Sequence, residues 1–396
     1  MRQISLSLSR SLSGDVAMSA RGKRIMLVVG EASGDLHGAR LVQSLYQRDP
    51  DLEIFGVAGE RLREAGLGVV IDVSQLTGMG LIELVGNLRT LCRAYRLLRG
   101  VLREKRPDLL ILIDFPEFNL RLARLAKDLG IPVLYYISPQ VWAWRPGRIH
   151  KIARLVDRMA VVFPFEVQLY ERAGVRADFV GHPLLDVVRP TRPREATLGR
   201  HGLEPAKRTI ALLPGSRRRE VAYHLPLMLQ AAERMHQQMG AQFIVVRAST
   251  VERRQIEEAL ARTSLPVSIA DGDVYNVLHA SDLAWVASGT ATLETALLQR
   301  PMVIVYRLAW LTYFLARLLV RVNHIGMVNI IAGERVVPEL IQRDVTGERI
   351  FMESERILQD AALRTWTAQR LAEVREKLGS PGAADRVAEI ALSMMN

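Results

Sequence analysis

The stretch Thr209-Ile-Ala-Leu-Leu-Pro-Gly-Ser-Arg-Arg-Arg-Glu220 leaves the chain few conformational choices. Thr209 to Leu213 is an apolar run too short for a helix, and it stops at Pro214-Gly215. It reads as a short buried strand that breaks sharply into a turn. The pattern predicts a helix opening at Ser216, with Arg217, Arg218 and Arg219 in its first turn. Arginine suits the other end of a helix, where the dipole is negative. Three at the positive end are unfavourable unless an anion sits there. Free backbone amides at a helix start, joined by guanidinium forks, make a phosphate site. A solvated basic cap is the alternative reading.

The same punctuation recurs along the chain. Apolar runs at Arg24–Gly30, Leu52–Ala58, Ile71–Val73, Pro107–Asp114, Ile131–Ile137 and Met159–Phe163 alternate with amphipathic helical segments, and Asp178 to Pro183 closes this half. Residues 186 to 207 are rich in Pro, Arg and Thr and read as a linker. After the opening stretch, Gln242–Arg247, Leu265–Ala270, Asp282–Ala287 and Pro301–Tyr306 repeat the pattern. Two doubly wound, Rossmann-like α/β domains follow from this alternation, and 396 residues that are 49% hydrophobic and 24% charged are ample for two or three domains. The expected division is an extension at 1–23, α/β domains at 24–186 and 187–365, and helices at 366–396. Residues 327–333 with Glu334, Pro338 and Glu339 read as a turn-rich stretch at a sheet edge.

The formal net charge is +11. Nucleic acid, an anionic membrane or a phosphorylated substrate would each account for it. The arginines form no long run and no recognisable binding module, so no nucleic-acid partner is expected. The single cysteine, Cys92, excludes an internal disulfide and a cysteine-based zinc cluster. Residues 1 to 20 contain no continuous apolar core, so a disordered extension is expected and not a secretory signal. No stretch reaches the ~18 to 20 apolar residues of a membrane span. The nearest approach, Leu308 to Val320, is interrupted by Arg317. Between Met79 and Arg99, Leu84, Leu88 and Leu91 share a helical stripe beside Arg89, Arg93, Arg96 and Arg99. That helix either lies on anionic lipid or packs on a sheet.

Ligands of open parallel sheets gather at the carboxyl ends of strands. Asp114 stands at such an end, locked by Pro116, and is a candidate general base. Capping the following helix is its simpler role. Glu117 and Asn119 can orient it or a substrate. Gly30, Gly34 and Gly38 give a permissive turn and a small-residue helix face, without a dinucleotide fingerprint or a P-loop. Ser33 or Asp35 can cap that helix. Trp142 and Trp144 beside prolines suit stacking on a sugar or acyl group, or core anchoring. Ser288-Gly-Thr-Ala-Thr-Leu-Glu294 puts small residues at another strand end. Thr290 or Thr292 can cap the helix there, and Glu294 can take hydrogen bonds from a ribose diol or simply complement the dipole.

Gly30-Glu-x-Ser-Gly-Asp35, Asp114-x-Pro-x-Phe-Asn119, Ser138-Pro-x-Val-Trp-Ala-Trp-Arg145, Phe179-Val-Gly-His182, Leu212-Leu-Pro-Gly-Ser-Arg217 with Glu220, Ser288 to Glu294 and Asn329-x-x-Ala-Gly333 occur in this order. The set resembles the lipid-A-disaccharide synthase family, glycosyltransferases of the two-domain GT-B fold with an inter-domain cleft. The resemblance covers about residues 24 to 390. It implies transfer of 2,3-diacylglucosamine from UDP-2,3-diacylglucosamine to the 6-hydroxyl of 2,3-diacylglucosamine 1-phosphate, with inversion. It implies Asp114 as base and Arg217 as a second required residue. It also implies substrate contacts at Ser33, Gly34, Asp35, Glu117, Asn119, Trp142, Arg145 and His182, and at Gly215, Ser216, Glu220, Ser288, Gly289, Thr290, Thr292, Glu294 and Asn329. The second domain would bind UDP. The family works without a tightly bound metal, peripherally on the cytoplasmic face of the inner membrane, and its dimers can exchange carboxyl-terminal elements. One departure is Glu117, where aspartate is expected. Read from the residues alone, another UDP-sugar enzyme (a 2-epimerase or a peptidoglycan glycosyltransferase) and a non-catalytic anionic-lipid-binding protein stay open.

Overall fold

A computed structural model describes residues 22–30, 32–73, 88–142, 147–308 and 324–396. The extension at 1–20, most of Leu308–Val320, Leu84, the side chain of Leu88, Trp144 and Arg145 lie outside the described residues.

The first half is a seven-stranded sheet in the order β3-β2-β1-β4-β5-β6-β7. Its strands are β1 (Arg24–Val29), β2 (Glu53–Ala58), β3 (Gly68–Asp72), β4 (Leu109–Ile113), β5 (Val133–Tyr136), β6 (Arg158–Val161) and β7 (Arg176–Phe179). All its pairings are parallel. Helices α1 (Ala32–Arg48), α2 (Glu60–Glu64), α3 (Leu88–Lys105), α4 (Pro116–Asp128), α5 (Arg148–Leu155) and α6 (Pro164–Glu171) connect them. A parallel sheet covered on both faces needs continuous apolar strands. Accordingly every residue of β4, and Ile25 to Val29 of β1, is fully buried.

The second half repeats the plan with six strands in the order β10-β9-β8-β11-β12-β13. These are β8 (Thr209–Leu213), β9 (Gln242–Arg247), β10 (Val267–Asp271), β11 (Leu283–Ala287), β12 (Met302–Tyr306) and β13 (Glu339–Ile341). Its helices are α7 (Arg194–Arg200), α8 (Arg218–Met239), α9 (Arg253–Leu260), α10 (Val274–Ala280), α11 (Thr290–Leu297), α12 (Met327–Ala332), α13 (Gly347–Gln359) and α14 (Ala361–Lys377). Trp285 is buried at the centre, its indole N–H donating to Ser354 Oγ at 2.8 Å.

Three local expectations are corrected. The stretch 186–207 is no plain linker, because it contains α7, which packs on α10. Its Thr191 and Arg192 amides also donate to Asn276 Oδ1 at 2.7 and 2.9 Å. Residues 327–332 are helical and not turns; Gly333, with φ of +82°, ends that helix in the left-handed conformation glycine accepts. Helix α8 starts at Arg218, two residues later than expected, with Arg217 as its N-cap.

A final helix, α15 (Ala383–Met394), crosses back and packs on α1 of the first half, whereas α14 packs on α11, α12 and α13. A boundary at 365/366 thus falls inside α14. The crossing is pinned to the end of β7. His182 N donates to Leu378 O at 2.9 Å, and Gly382 N donates to Asp186 Oδ1 at 2.7 Å. Arg386 spans Val180, Ser380 and Pro381 carbonyls. Gly181 is required there, since a Cβ would lie 2.8 Å from Ser380 O. On the α1 side, Ser44 Oγ donates to Asp385 Oδ1 at 2.6 Å.

Candidate active site

In each sheet the strand order reverses between two central strands: β1 and β4 in the first, β8 and β11 in the second. The carboxyl ends at such a reversal splay apart and leave a crevice for ligands. Gly30 and Asp114 follow the first pair, and Pro214-Gly215-Ser216 and Ser288-Gly289 follow the second. The loop after β5 meets the second half, where Gln140 Nε2 lies 3.8 Å from Met327 Sδ.

At the first crevice the backbone is strained. Asp114 and Phe115 have φ of +50° and +48°. A left-handed non-glycine residue costs roughly 1–2 kcal/mol. Phe115 folds back over Gly30, where a Cβ would lie 2.1 Å from the Phe115 Cβ. Its ring stacks on Phe118 at 5.5 Å. The Asp114 carbonyl accepts from Tyr135 Oη at 2.5 Å and Asn119 Nδ2 at 2.6 Å. Asn119 is fully buried, and its amide nitrogen also donates to Ile113 O at 3.2 Å. Glu117 is exposed and pairs with Arg148.

Asp35 is buried on α1. Its carboxylate accepts from the amides of Gly59, Arg61 and Leu62 at 2.7, 3.1 and 3.3 Å. It therefore caps α2 and not its own helix, satisfying amides the short helix leaves orphaned. Gly34 and Gly38 let α1 sit close to β1 and to Leu62, at 3.3 and 3.2 Å from an added Cβ. Ser33 is exposed.

A buried acid that sequence reasoning missed lies on α6 and ties together the ends of β5 and β6. Glu166 is 1% exposed. Its Oε1 accepts from Ser138 Oγ at 2.8 Å and Trp142 Nε1 at 3.2 Å, and its Oε2 from Phe163 N at 3.2 Å. Burial pushes its carboxyl up to about 7, against the downward pull of these donors. Trp142 is thus anchored to the next strand end. Its indole meets Phe165 edge-on at 5.2 Å, and Phe163 and Phe165 stack at 5.6 Å. His182 closes the row, 5.4 Å from the Phe163 ring. Its Nδ1 accepts from Leu184 N at 3.1 Å, which leaves the ring proton on Nε2. Burial lowers this histidine to about 3, so it stays neutral.

The second crevice is built from backbone. Glu220 Oε2 accepts from the amides of Ser216 and Arg217 at 3.0 and 3.2 Å. Two amides at the N-terminus of the long helix α8 thus already hold a carboxylate, in the manner of an anion site. Gly215, at φ of +130°, makes room, since a Cβ would lie 2.6 Å from the Glu220 carboxylate. Arg217 is 72% exposed in its side chain and only 3.5 Å from Glu220 Oε1. Arg218 and Arg219 are exposed. The turn is held from below by His224, 1% exposed, a second residue that no local sequence pattern singles out. His224 Nε2 accepts from Arg307 N at 2.9 Å, so Nδ1 carries the proton and donates to Pro214 O at 2.8 Å.

Beside it, Gly289 N-caps α11 at φ of +153° with open space around it, and Thr290 is exposed. Thr292 is buried and donates to Gly289 O at 2.8 Å. Ser288 Oγ donates to Ile325 O at 3.3 Å. Glu294 Oε1 accepts from Tyr275 Oη at 3.0 Å, and burial raises its carboxyl above the ordinary range. Asn329 is fully buried: Nδ2 donates to Val337 O and Glu339 Oε1, and Oδ1 accepts from the Val336 and Val337 amides. It fastens α12 to the segment before β13.

Comparison with known proteins identifies the fold and the family. The lipid-A-disaccharide synthetase family profile matches residues 25–391. A lipid-A-disaccharide synthase of Geobacter sulfurreducens is 50% identical over 373 residues, 94% of this chain and 97% of that protein. One from Geobacter metallireducens is 50% identical over 378 residues, 95% and 98% of the two. The crystal structure of a calicheamicin glycosyltransferase shares the fold at a TM-score of 0.61 and 16% identity, covering 94% of this chain and 99% of that one. The two parallel sheets are those of a GT-B glycosyltransferase, and the chain belongs to the lipid-A-disaccharide synthase family of enzymes that act on UDP-sugars.

Proposed function

We propose that this enzyme transfers 2,3-diacylglucosamine from UDP-2,3-diacylglucosamine to the 6-hydroxyl of 2,3-diacylglucosamine 1-phosphate. The observation that carries the reading is the placement of the two motif pairs: each sits at the strand reversal of its own sheet. Asp114 takes the proton of the 6-hydroxyl as that oxygen attacks the anomeric carbon from the face opposite UDP. The bond from that carbon to the β-phosphate oxygen breaks, and its electron pair leaves on UDP. The product is the β-1,6-linked disaccharide 1-phosphate. A positioned base contributes typically ~10²- to 10⁴-fold. Arg217 and the amides of Ser216 and Arg217 stabilise the departing diphosphate, displacing Glu220 from those amides or sharing them with it. Glu294 and the Ser288–Thr292 turn face the nucleoside. Residues 24–186 serve as the acceptor and membrane-facing domain and the residues from 187 through α14 as the UDP-sugar domain, with α15 returning to the first or exchanged in a homodimer.

No helix among the described residues is long and apolar enough to cross a membrane. The membrane contact in this reading is peripheral, on the inner face of the inner membrane, through α3. There Arg89, Arg93, Arg96, Arg99 and Arg103 are exposed, with Leu97 at 49%. Leu98 and Leu102 are buried and Leu91 packs partly against the core, so the opposite side of the helix serves the fold.

The test is turnover of defined acylated UDP-sugar with the monosaccharide 1-phosphate, with product mass and linkage determined. Disaccharide 1-phosphate and UDP in equal amounts are expected. Release of free sugar, or equal turnover of non-acylated UDP-sugar, would refute the reading.

A further inference from the structure

We infer that Tyr135 is a positioning residue for Asp114, acting with Asn119 as a two-donor clamp on the Asp114 carbonyl; the inference rests on Asp114 being the base. Tyr135 lies on β5, next to β4, and is fully buried. A tyrosine buried in a sheet core normally needs only some partner for its hydroxyl. This one reaches the peptide that follows Asp114, at 2.5 Å. Asn119, on α4, reaches the same oxygen at 2.6 Å. Both lone pairs of one carbonyl are therefore taken by side chains from two different elements.

That saturation falls where the chain is most strained. Asp114 and Phe115 are consecutive left-handed residues, and neither is glycine. Such a conformation persists only when its surroundings over-determine it. Three restraints do so. The clamp fixes the peptide between the two residues. The Asn119 amide holds the next carbonyl, donating to Phe115 O at 3.0 Å. The bare Cα of Gly30 leaves the volume that Phe115 fills. The direction of the Asp114 Cα–Cβ bond follows from the backbone, so a device that fixes the peptide fixes the point and direction from which the carboxylate projects. Burial, with the Asp114 charge adding to it, raises the Tyr135 phenol well above its ordinary value. It remains a donor across the working pH range and takes no part in proton transfer.

The test is Tyr135→Phe in the full-length enzyme, alone and combined with Asp114→Asn. Phenylalanine keeps the ring, and Asn119 still satisfies the carbonyl, so the melting temperature should fall by no more than about 4 °C and the UDP titration should match wild type. Small misplacements of a reacting group cost up to about 100-fold. We expect kcat to fall about 10- to 100-fold with KM changed by less than about threefold, and almost no further loss in the Asp114→Asn background. A kcat within about twofold of wild type would overturn the inference, as would an equal fractional loss in both backgrounds. Wild-type turnover by Asp114→Asn alone would instead remove the base assignment, and the inference with it.

Discussion

The two crevices do opposite things with the same topology. At the first, side chains and strained backbone are locked by buried groups: Tyr135 and Asn119 on the Asp114 carbonyl, and Glu166 on Ser138 and Trp142. At the second, the donors are main-chain amides, Gly289 has open space around it, and Arg217 is mostly solvent-exposed. A base must be aimed at one proton, which rewards rigidity. A diphosphate spreads its charge over several oxygens and is met by an array of donors that can be satisfied in the free enzyme by Glu220. In the proposed mechanism the precise step belongs to the first half and the diffuse electrostatic one to the second.

The comparison is broken most directly at Asp114. Asp114→Asn should lower kcat by about 10²- to 10⁴-fold. Initial rates at saturating substrates measure this, and a loss below tenfold would mean that the aimed carboxylate is not the base.

Rigidity at the first crevice has a pH signature. Glu166 ionises near 4.5 in the unfolded chain and near 7 in the fold. Folding therefore holds a proton in that window, and the resulting stability is present below 4.5 and lost as pH rises through 7. His182, and His37 buried on α1, are lowered by burial to about 3 and about 4 from 6.5 and run the other way: their contribution is lost as pH falls through those values. Subtracting Glu166→Gln from wild type isolates the carboxyl. Urea titrations should show wild type gaining about 3 kcal/mol on the variant between pH 8 and 4.5. A difference that does not vary with pH would contradict the buried-acid account.

At the second crevice, Arg217→Ala removes one charge-assisted contact. Such a contact is worth about 1.5–3 kcal/mol, so UDP affinity and kcat should fall together by about 10- to 100-fold. The smallest effect on turnover is expected away from both crevices. Replacing Arg93, Arg96 and Arg99 with glutamine should weaken flotation with anionic vesicles by about 1 kcal/mol per charge, with turnover of soluble short-chain substrates unchanged. Unfolding of that variant would mean the arginines serve packing.

Much of this was legible in the sequence because strand ends announce themselves. Asp114, Pro214-Gly215 and Ser288-Gly289 each end an apolar run, and topology then makes those ends the crevices. The anchors were illegible for the opposite reason. Glu166 meets Ser138 across 28 residues, and His224 meets Arg307 across 83. No local pattern encodes such pairs. Asp35 looked like a cap for its own helix, but its carboxylate is spent on amides 24 to 27 residues away. Helices α7 and α12, of 7 and 6 residues, are too short for periodicity to outweigh their proline- and glycine-bearing surroundings. The return of α15 to α1, tied by Ser44 and Asp385 across 341 residues, likewise depends on the assembled fold.

The division of labour is tested most directly by titrating UDP into Asp114→Asn and Arg217→Ala side by side. Wild-type affinity is expected for the first and at least about tenfold weaker binding for the second. Equal loss in both variants, or loss in neither, would contradict it.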